Sequence, residues 1–294
     1  MAASWRIENL AARHQRGLAL IAVLWMVSLL TLLATAMLAV ARTNARMSSR
    51  SAQLITAAAT ADSAIRLALL RMYAPPDAGA QFGFSTQWQL ELFNREIDVR
   101  VEREAGRVDL NATEAPLLTA VFVAGGIDTA MARSFAARII DWRDADDQPI
   151  VSGAEREEYA LAHVDYRPRN GSFESVEELR QVLGLAEVNA EILDAFTVYS
   201  TRSPTLAYEF AHPLVRRALD LLSTSSAGAQ SQIPAQTLIG QALRVHACTG
   251  QNRVTVCRAA IVRWLNNRRK PFLIHAWYTE ESLFRSISVS ELRK

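Results

Sequence analysis

Cysteine is nearly absent from this chain. Cys248 and Cys257 are the only two in 294 residues, which excludes a cysteine framework and leaves at most one disulfide. There is no Cys-x-x-Cys pair and no Cys/His array with metal-ligand spacing. The five histidines, His14, His163, His212, His246 and His275, stand apart from any nucleophile or catalytic signature. These absences leave no Cys/His metal pattern and no common hydrolase signature, and favour a structural or binding role over an enzyme. Lysine is missing between residues 109 and 200, where seventeen Asp and Glu face seven Arg. That stretch carries −10 and, with +2 for the whole chain, the remainder carries +12. Hydrophobic residues make up 50% of the sequence, enough to bury the core of one large domain or two ordinary ones.

Charge is also missing from Leu18 to Ala41, a run of 24 residues. As a helix this run is about 36 Å long at 1.5 Å per residue, enough to cross a hydrocarbon core of about 30 Å. It is too long for the apolar part of a cleaved secretory signal. The competing reading, a buried core helix, seldom runs this far without a charge. Arg6, Arg13 and Arg16 precede the run with only Glu8 opposing them, so the positive-inside rule keeps residues 1–17 in the cytoplasm and sends the chain after Arg42 across. Beyond Ala41 no breaker intervenes. Met47, Leu54, Ala58, Ala61, Ile65, Leu69 and Met72 follow steps of three, four and seven, which predicts a one-sided helix continuing to Pro75-Pro76. A helix that is apolar in its first half and one-sided in its second suits lateral packing into a filament.

The sequence Arg16-Gly17-Leu18 ahead of an uninterrupted apolar helix resembles the prepilin peptidase site of type IV pilins and type II secretion pseudopilins. The resemblance implies cleavage between Gly17 and Leu18. Most of that family carries a glutamate at the fifth mature position, which neutralises the new N-terminal amine of a neighbouring subunit. Here that position is Ala22. A carboxylate in the membrane is costly without a partner cation, so its absence implies a subunit with no neighbour ahead of it, at the tip. This departure marks the K-type minor pseudopilins of type II secretion, which the chain resembles along nearly its whole length. Further matches are Val108-Asp-Leu-Asn-Ala, Ile140-Asp-Trp-Arg-Asp-Ala-Asp-Asp147, Gly153-Ala-Glu155, Tyr159 and Tyr166-Arg-Pro-Arg-Asn-Gly171.

The resemblance implies an α+β fold: a long N-terminal transmembrane and amphipathic helix, an antiparallel pseudopilin sheet, and an inserted all-α domain with helix-hairpin-helix-like units. The expected divisions are a cytoplasmic leader at 1–17, a transmembrane helix at 18–41, and the amphipathic helix with the first strands at 42–108. The acidic helical insert follows at 109–195, then a return to the core at 196–294 with a flexible linker at 223–232. The expected role is that of a structural tip subunit which helps start the pseudopilus and limits its growth during protein export. The implied partners are the I-type and J-type minor pseudopilins, the major pseudopilin, the prepilin peptidase and the inner membrane, with the C-terminal part periplasmic.

Within the exported part, alternation in Trp88-Gln-Leu-Glu-Leu92 and Ile97-Asp-Val-Arg-Val101 predicts two strands turning around Asn94-Arg95, with a third at Val108 and Leu110. Thr113 is positioned to cap a helix through Phe122. Gly125-Gly126 makes a turn, and Asp128 opens a second helix with Met131, Phe135, Ile139 and Trp142 on one side. A second such unit spans Gly171 to Leu185, with a Ser175/Glu178 capping box and a Leu183-Gly184-Leu185 hairpin. Phe196-Thr-Val-Tyr-Ser200 reads as a strand returning to the core, and Pro213 to Leu222 as a helix. Three strands follow at Leu243–Cys248, Arg253–Trp264 and Phe272–Tyr278.

Helix-hairpin-helix units commonly bind DNA, so the alternative function is a DNA-uptake component anchored in the inner membrane. A region at −10 repels a duplex, which argues against nucleic acid as a partner. Asp141, Asp144, Asp146 and Asp147, with Glu155 and Glu158 soon after, are hard oxygen donors of the kind calcium takes. The resemblance implies calcium as well; the competing reading is a solvated acidic surface. Cys248 and Cys257 fall on adjacent strands, either as a disulfide in an oxidising periplasm or as two reduced, packed side chains.

Overall fold

The computed structural model describes residues 5–73, 85–200, 208, 211–223, 240–251, 254–265, 267 and 269–279, with no side-chain description for 5–19, 73, 85, 251 and 254. The chain divides into two compact units, Met1–Thr56 and Ala57–Lys294. The first unit is helical throughout its described part and belongs to α1, Trp5–Tyr73. From Leu20 to Thr56 every residue of this helix is exposed. Its apolar run qualifies by length and composition as a membrane span. Gly17 and Leu18 lie on helical backbone, outside the residues whose side chains are described. The expected linker lies outside the described residues from Thr224 on.

The second unit begins with the last turns of α1, which lie on a five-stranded antiparallel sheet. Its strands are β1 (Ser85–Leu92), β2 (Arg95–Arg103), β5 (Ala242–Gln251), β6 (Val254–Trp264) and β7 (Phe272–Thr279), in the order β1-β2-β5-β6-β7. Alternation puts Ile97, Val99 and Val101 of β2 on the same face as Leu243, Val245 and Ala247 of β5, where they meet Ala61, Ala64, Ile65, Ala68 and Leu69 of the helix. Three small alanines let helix and sheet approach closely. Asp62 ties the same contact: its carboxylate accepts from Arg258 Nε at 2.7 Å and from Trp277 Nε1 at 3.1 Å. The β1–β2 hairpin turns at Phe93-Asn94, one residue earlier than the sequence pattern suggests. Both residues have positive φ (54° and 56°), the geometry of a two-residue type I′ turn. Cys248 and Cys257 are register partners on β5 and β6 and form a disulfide.

Between β2 and β5, which are neighbours, the chain inserts a helical lobe. It comprises β3 (Val108–Asp109), α2 (Ala115–Ala124), α3 (Thr129–Arg143), α4 (Arg156–Leu161), a 3-10 turn at Val176–Gln181, α5 (Ala190–Asp194), β4 (Phe196–Thr197) and α6 (Pro213–Ser223). The strand expected at Val108 does not join the sheet. A 3-10 turn at Glu104–Gly106 ends β2 and redirects the chain, and β3 pairs in parallel with β4 in a separate two-stranded ladder. The segment at 196–200 likewise returns to β3 and not to the five-stranded sheet. Its core gathers Phe122, Phe135, Ile139, Trp142, Tyr159, Phe173, Leu179 and Phe196, and continues past residue 195 to Leu214, Val215 and Ala218 of α6. Met131, expected on the buried side of α3, is exposed, and α2 is capped at Glu114 and not at Thr113.

Lobe and sheet meet at a buried cluster of charges. Arg107 donates from Nε to the Asp194 carbonyl at 2.7 Å, and its Nη2 reaches Asp194 Oδ1 (3.2 Å) and Glu102. Arg244 of β5 donates to Glu104 Oε1 at 2.6 Å and to Asp194 Oδ1 at 2.7 Å. His212 Nε2 stands 3.3 Å from Asp194 Oδ2. Burial pushes Glu102 and Asp194 up, but Arg107 and the flanking groups outweigh it and hold both carboxyls well below the ordinary range. Removing one member of such a set strands the others without charge partners in a dry site. Arg107→Ala is therefore expected to destabilise the second unit by roughly 3–5 kcal/mol, measured by urea unfolding of the detergent-solubilised chain. A loss within experimental error of a surface Arg→Ala control would contradict the role assigned to the cluster.

Candidate metal centre

Asp128 caps α3 by accepting from the backbone N–H of Ala130 and Met131. Fifteen residues later the helix ends, with Asp144 at its C-cap in extended backbone. One turn earlier, Asp141 is fully buried. The chain then loops away and folds back onto it. Ala154 N donates to Asp141 Oδ2 at 2.7 Å, and Ile150 N to Oδ1 at 3.4 Å. Ser134 Oγ holds the loop at the Ser152 carbonyl, 2.9 Å away. Gly153 is required by this approach: a Cβ there would fall 1.9 Å from Asp141 Oδ2.

The return places Glu155 at the N-cap of α4. One oxygen from each of Asp141, Asp144 and Glu155 lies within 4.8 Å of the others. Glu155 is only 2% exposed, and beyond the capping-box approach of its side chain to the Glu158 backbone N–H neither carboxylate oxygen makes a close hydrogen bond; Asp144 Oδ1 is likewise buried without one. Buried polar atoms are almost always paired, and these carboxylate oxygens, converging on one point, form a donor set of the kind that takes a hard cation. Arg143, the nearest base in sequence, is turned away, its guanidinium donating to the carbonyls of Leu110 and Thr113.

The other three acidic candidates have different partners. Asp146 Oδ1 accepts from Gln148 N at 2.9 Å and Asp147 Oδ1 from Asn170 Nδ2 at 2.9 Å, and both residues are exposed. Glu158 closes back on the Glu155 backbone N–H at 2.8 Å as a helix cap. They shape the loop around the convergent three. Sequence spacing could not separate the two groups, because which carboxylate turns inward depends on where α3 stops and how tightly the loop closes at Gly153.

Burial, with Asp141 and Asp144 next to it, pushes the Glu155 carboxyl up to about 7. Burial also raises Asp141, against the two backbone N–H groups that oppose the shift, and it raises Asp144 with help from Asp146. A hard divalent cation would remove this penalty. Its donors would be Asp141, Asp144 and Glu155, and it would supply charge neutralisation and a fixed α3–α4 loop.

The two helical hairpins differ from DNA-binding ones in where their amides go. Gly125 N donates to Val121 O, Gly126 N to Val123 O, Leu185 N to Val182 O, and Leu183 N to the Tyr159 hydroxyl. Those donors are engaged inside the lobe and face no phosphate.

Residues 100–199, which hold this centre, match the family model described as "Type II secretion system (T2SS), protein K". The chain is 40% identical over 60 residues to a type II secretion system protein K of Pectobacterium carotovorum subsp. carotovorum. That alignment spans 20% of this chain and 18% of the relative's length. The fold is shared with a chain in the crystal structure of the GspK-GspI-GspJ complex from the enterotoxigenic Escherichia coli type 2 secretion system. The TM-score is 0.56 at 16% identity, over 81% of this chain and 100% of that one. The resemblance to K-type minor pseudopilins read from the sequence holds.

Because Glu155 titrates at a higher pH in the folded state than in the unfolded one, the folded chain binds more protons between about pH 4.5 and 7. Without divalent ions, the contribution of Glu155 to stability is therefore expected to fall as pH rises through that window. Thermal unfolding in chelator at pH 5 and pH 8 measures the difference, and Glu155→Gln should remove most of it. An unchanged difference in Glu155→Gln would refute the assignment.

Proposed function

We propose that the chain is a minor pseudopilin of type II secretion, working mechanically within a short membrane-anchored filament. The observation that carries this reading is the protein K family match over the inserted lobe, on a chain whose fold is that of a pseudopilin-complex subunit. The exposed apolar helix serves as its single membrane anchor, and the leader ends at Gly17, so the mature chain starts at Leu18. The N terminus faces the cytoplasm and the second unit the periplasm, an oxidising compartment that suits the Cys248–Cys257 disulfide.

Its partners are the I-type and J-type minor pseudopilins, as the composition of the complex sharing its fold suggests. Together they start polymerisation of the major pseudopilin. Ala22, in place of the family's membrane glutamate, supports a position at the tip, and the lobe inserted between β2 and β5 is bulky enough to block addition beyond it. Calcium is the cation of the acidic centre, held by Asp141, Asp144 and Glu155. DNA uptake is not favoured, given the engaged hairpin amides and the acidic lobe.

Deleting the chain from its host is expected to strand type II substrates in the periplasm, with export restored by the wild-type gene; unimpaired export in the deletion strain would refute the proposal. For the centre, millimolar calcium added after chelation at pH 7.5 should raise the melting temperature of the wild type and leave Asp141→Asn/Glu155→Gln unmoved. An equal response in both proteins would remove calcium from this site.

A further inference from the structure

From Asn9 to Ala61 the chain contains no carboxylate at all. Yet Arg42, Arg46 and Arg50 follow directly on the apolar run, at steps of four. At 100° per residue they form one stripe along α1, about 12 Å long. All three are exposed, and among the described residues none enters an ion pair. The later arginines of the same helix are engaged, with Arg66 over the Trp277 ring and Arg71 over Trp88. Beside the stripe lies an apolar ridge of Met47 and Leu54, also exposed.

Positive charge on the translocated side of a span opposes the positive-inside bias, so three arginines here need a use that outweighs that cost. Anionic lipid reaches only part of the stripe. Headgroups occupy roughly 5–8 Å on each side of the hydrocarbon core, whereas Arg50 stands about 12 Å beyond Arg42. Leu54 stands about 20 Å past Ala41, where lipid tails cannot cover it. A second copy of this chain is unsuited for another reason: it would oppose arginine to arginine, with no carboxylate on this stretch to relieve the repulsion.

We propose that the Arg42–Arg46–Arg50 face of α1, with Met47 and Leu54, docks a helix of a different membrane-anchored chain. That helix runs alongside α1 and carries Asp or Glu at four-residue spacing just outside its own span. The ridge gives the two helices apolar contact, and the stripe fixes register and excludes self-association. The inference rests on the membrane span of the proposed function and goes beyond it by naming the partner's chemistry.

Benzoylphenylalanine placed at Met47 of the full-length chain, in its own host, reports what covers this face on illumination. Adducts should map by mass spectrometry to one other polypeptide, on a helix with acidic residues four apart. R42E/R46E/R50E should lower their yield by about tenfold, since each exposed pair contributes modestly. Arg→Lys at the same positions should largely preserve the yield, and reversing the mapped carboxylates to lysine should restore it in the Glu variant. Adducts with phospholipid alone, adducts between two copies, charge-independent yield or no adduct in the wild type would each overturn the proposal. Export assayed in the same strains separates this failure from that of the secretion role, because a chain outside secretion would leave export intact while adducts persist.

Discussion

Two guanidinium groups hold the second unit together at the point where it is most easily divided. Arg107 and Arg244 are buried, and between them they bind Glu102 and Glu104 at the end of β2 and Asp194 at the end of α5. An ion set of this kind gains little over an apolar contact of the same volume, because desolvation offsets most of the attraction. What it adds is direction. Planar guanidinium groups donate to carboxylates in a fixed geometry, which sets how the end of β2, the end of α5 and the start of β5 meet. The parallel pairing of β3 with β4 and the bond from His212 N to the Gly106 carbonyl at 2.8 Å follow from that arrangement.

The acidic centre shows the opposite electrostatic state. At the Arg107 cluster, counter-charges are built into the fold and Glu102 and Asp194 stay ionised; among the described residues no base forms a salt bridge with Asp141, Asp144 or Glu155, and the Glu155 carboxyl moves toward neutrality. The Arg107 cluster stands where the lobe meets the sheet and the acidic centre stands within the lobe, whose apolar core includes Tyr159, Trp142 and Phe196. The lobe thus has one end that is satisfied by its own chain and another that is not. The second is where binding from outside can change stability.

Much of this was legible in the sequence, for reasons that can be named. The uncharged run before Arg42 and the three-four spacing after it give α1 almost to its last residue, since a charge-free stretch and a helical period are local properties. Alternation at 88–92 and 97–101 gives β1 and β2 for the same reason. The pairing of β3 with β4 was not legible, because two-residue strands carry no period and their partner is decided by the buried arginines. Nor was the side α6 would take: its amphipathic pattern fixes that one face is buried, not that the lobe covers it in place of the sheet. Within the acidic run, residue type gave the donor chemistry, while the division between Asp141, Asp144 and Glu155 on one hand and Asp146, Asp147 and Glu158 on the other needed the loop closure at Gly153.

Inserting the lobe between two neighbouring strands also sets the order in which this chain can fold. The register pairs Val101 with Val245 and Ile97 with Thr249, so the central ladder of the sheet must wait until the whole lobe and β5 have been delivered along with β2. Closing so long a loop from an unfolded chain is entropically slow. A lobe already folded shortens it, since residues 106 and 212 are then held side by side. The sheet is thus the last part of the unit to close, and until then β2 offers an unpaired edge that nothing but timely folding of the lobe protects.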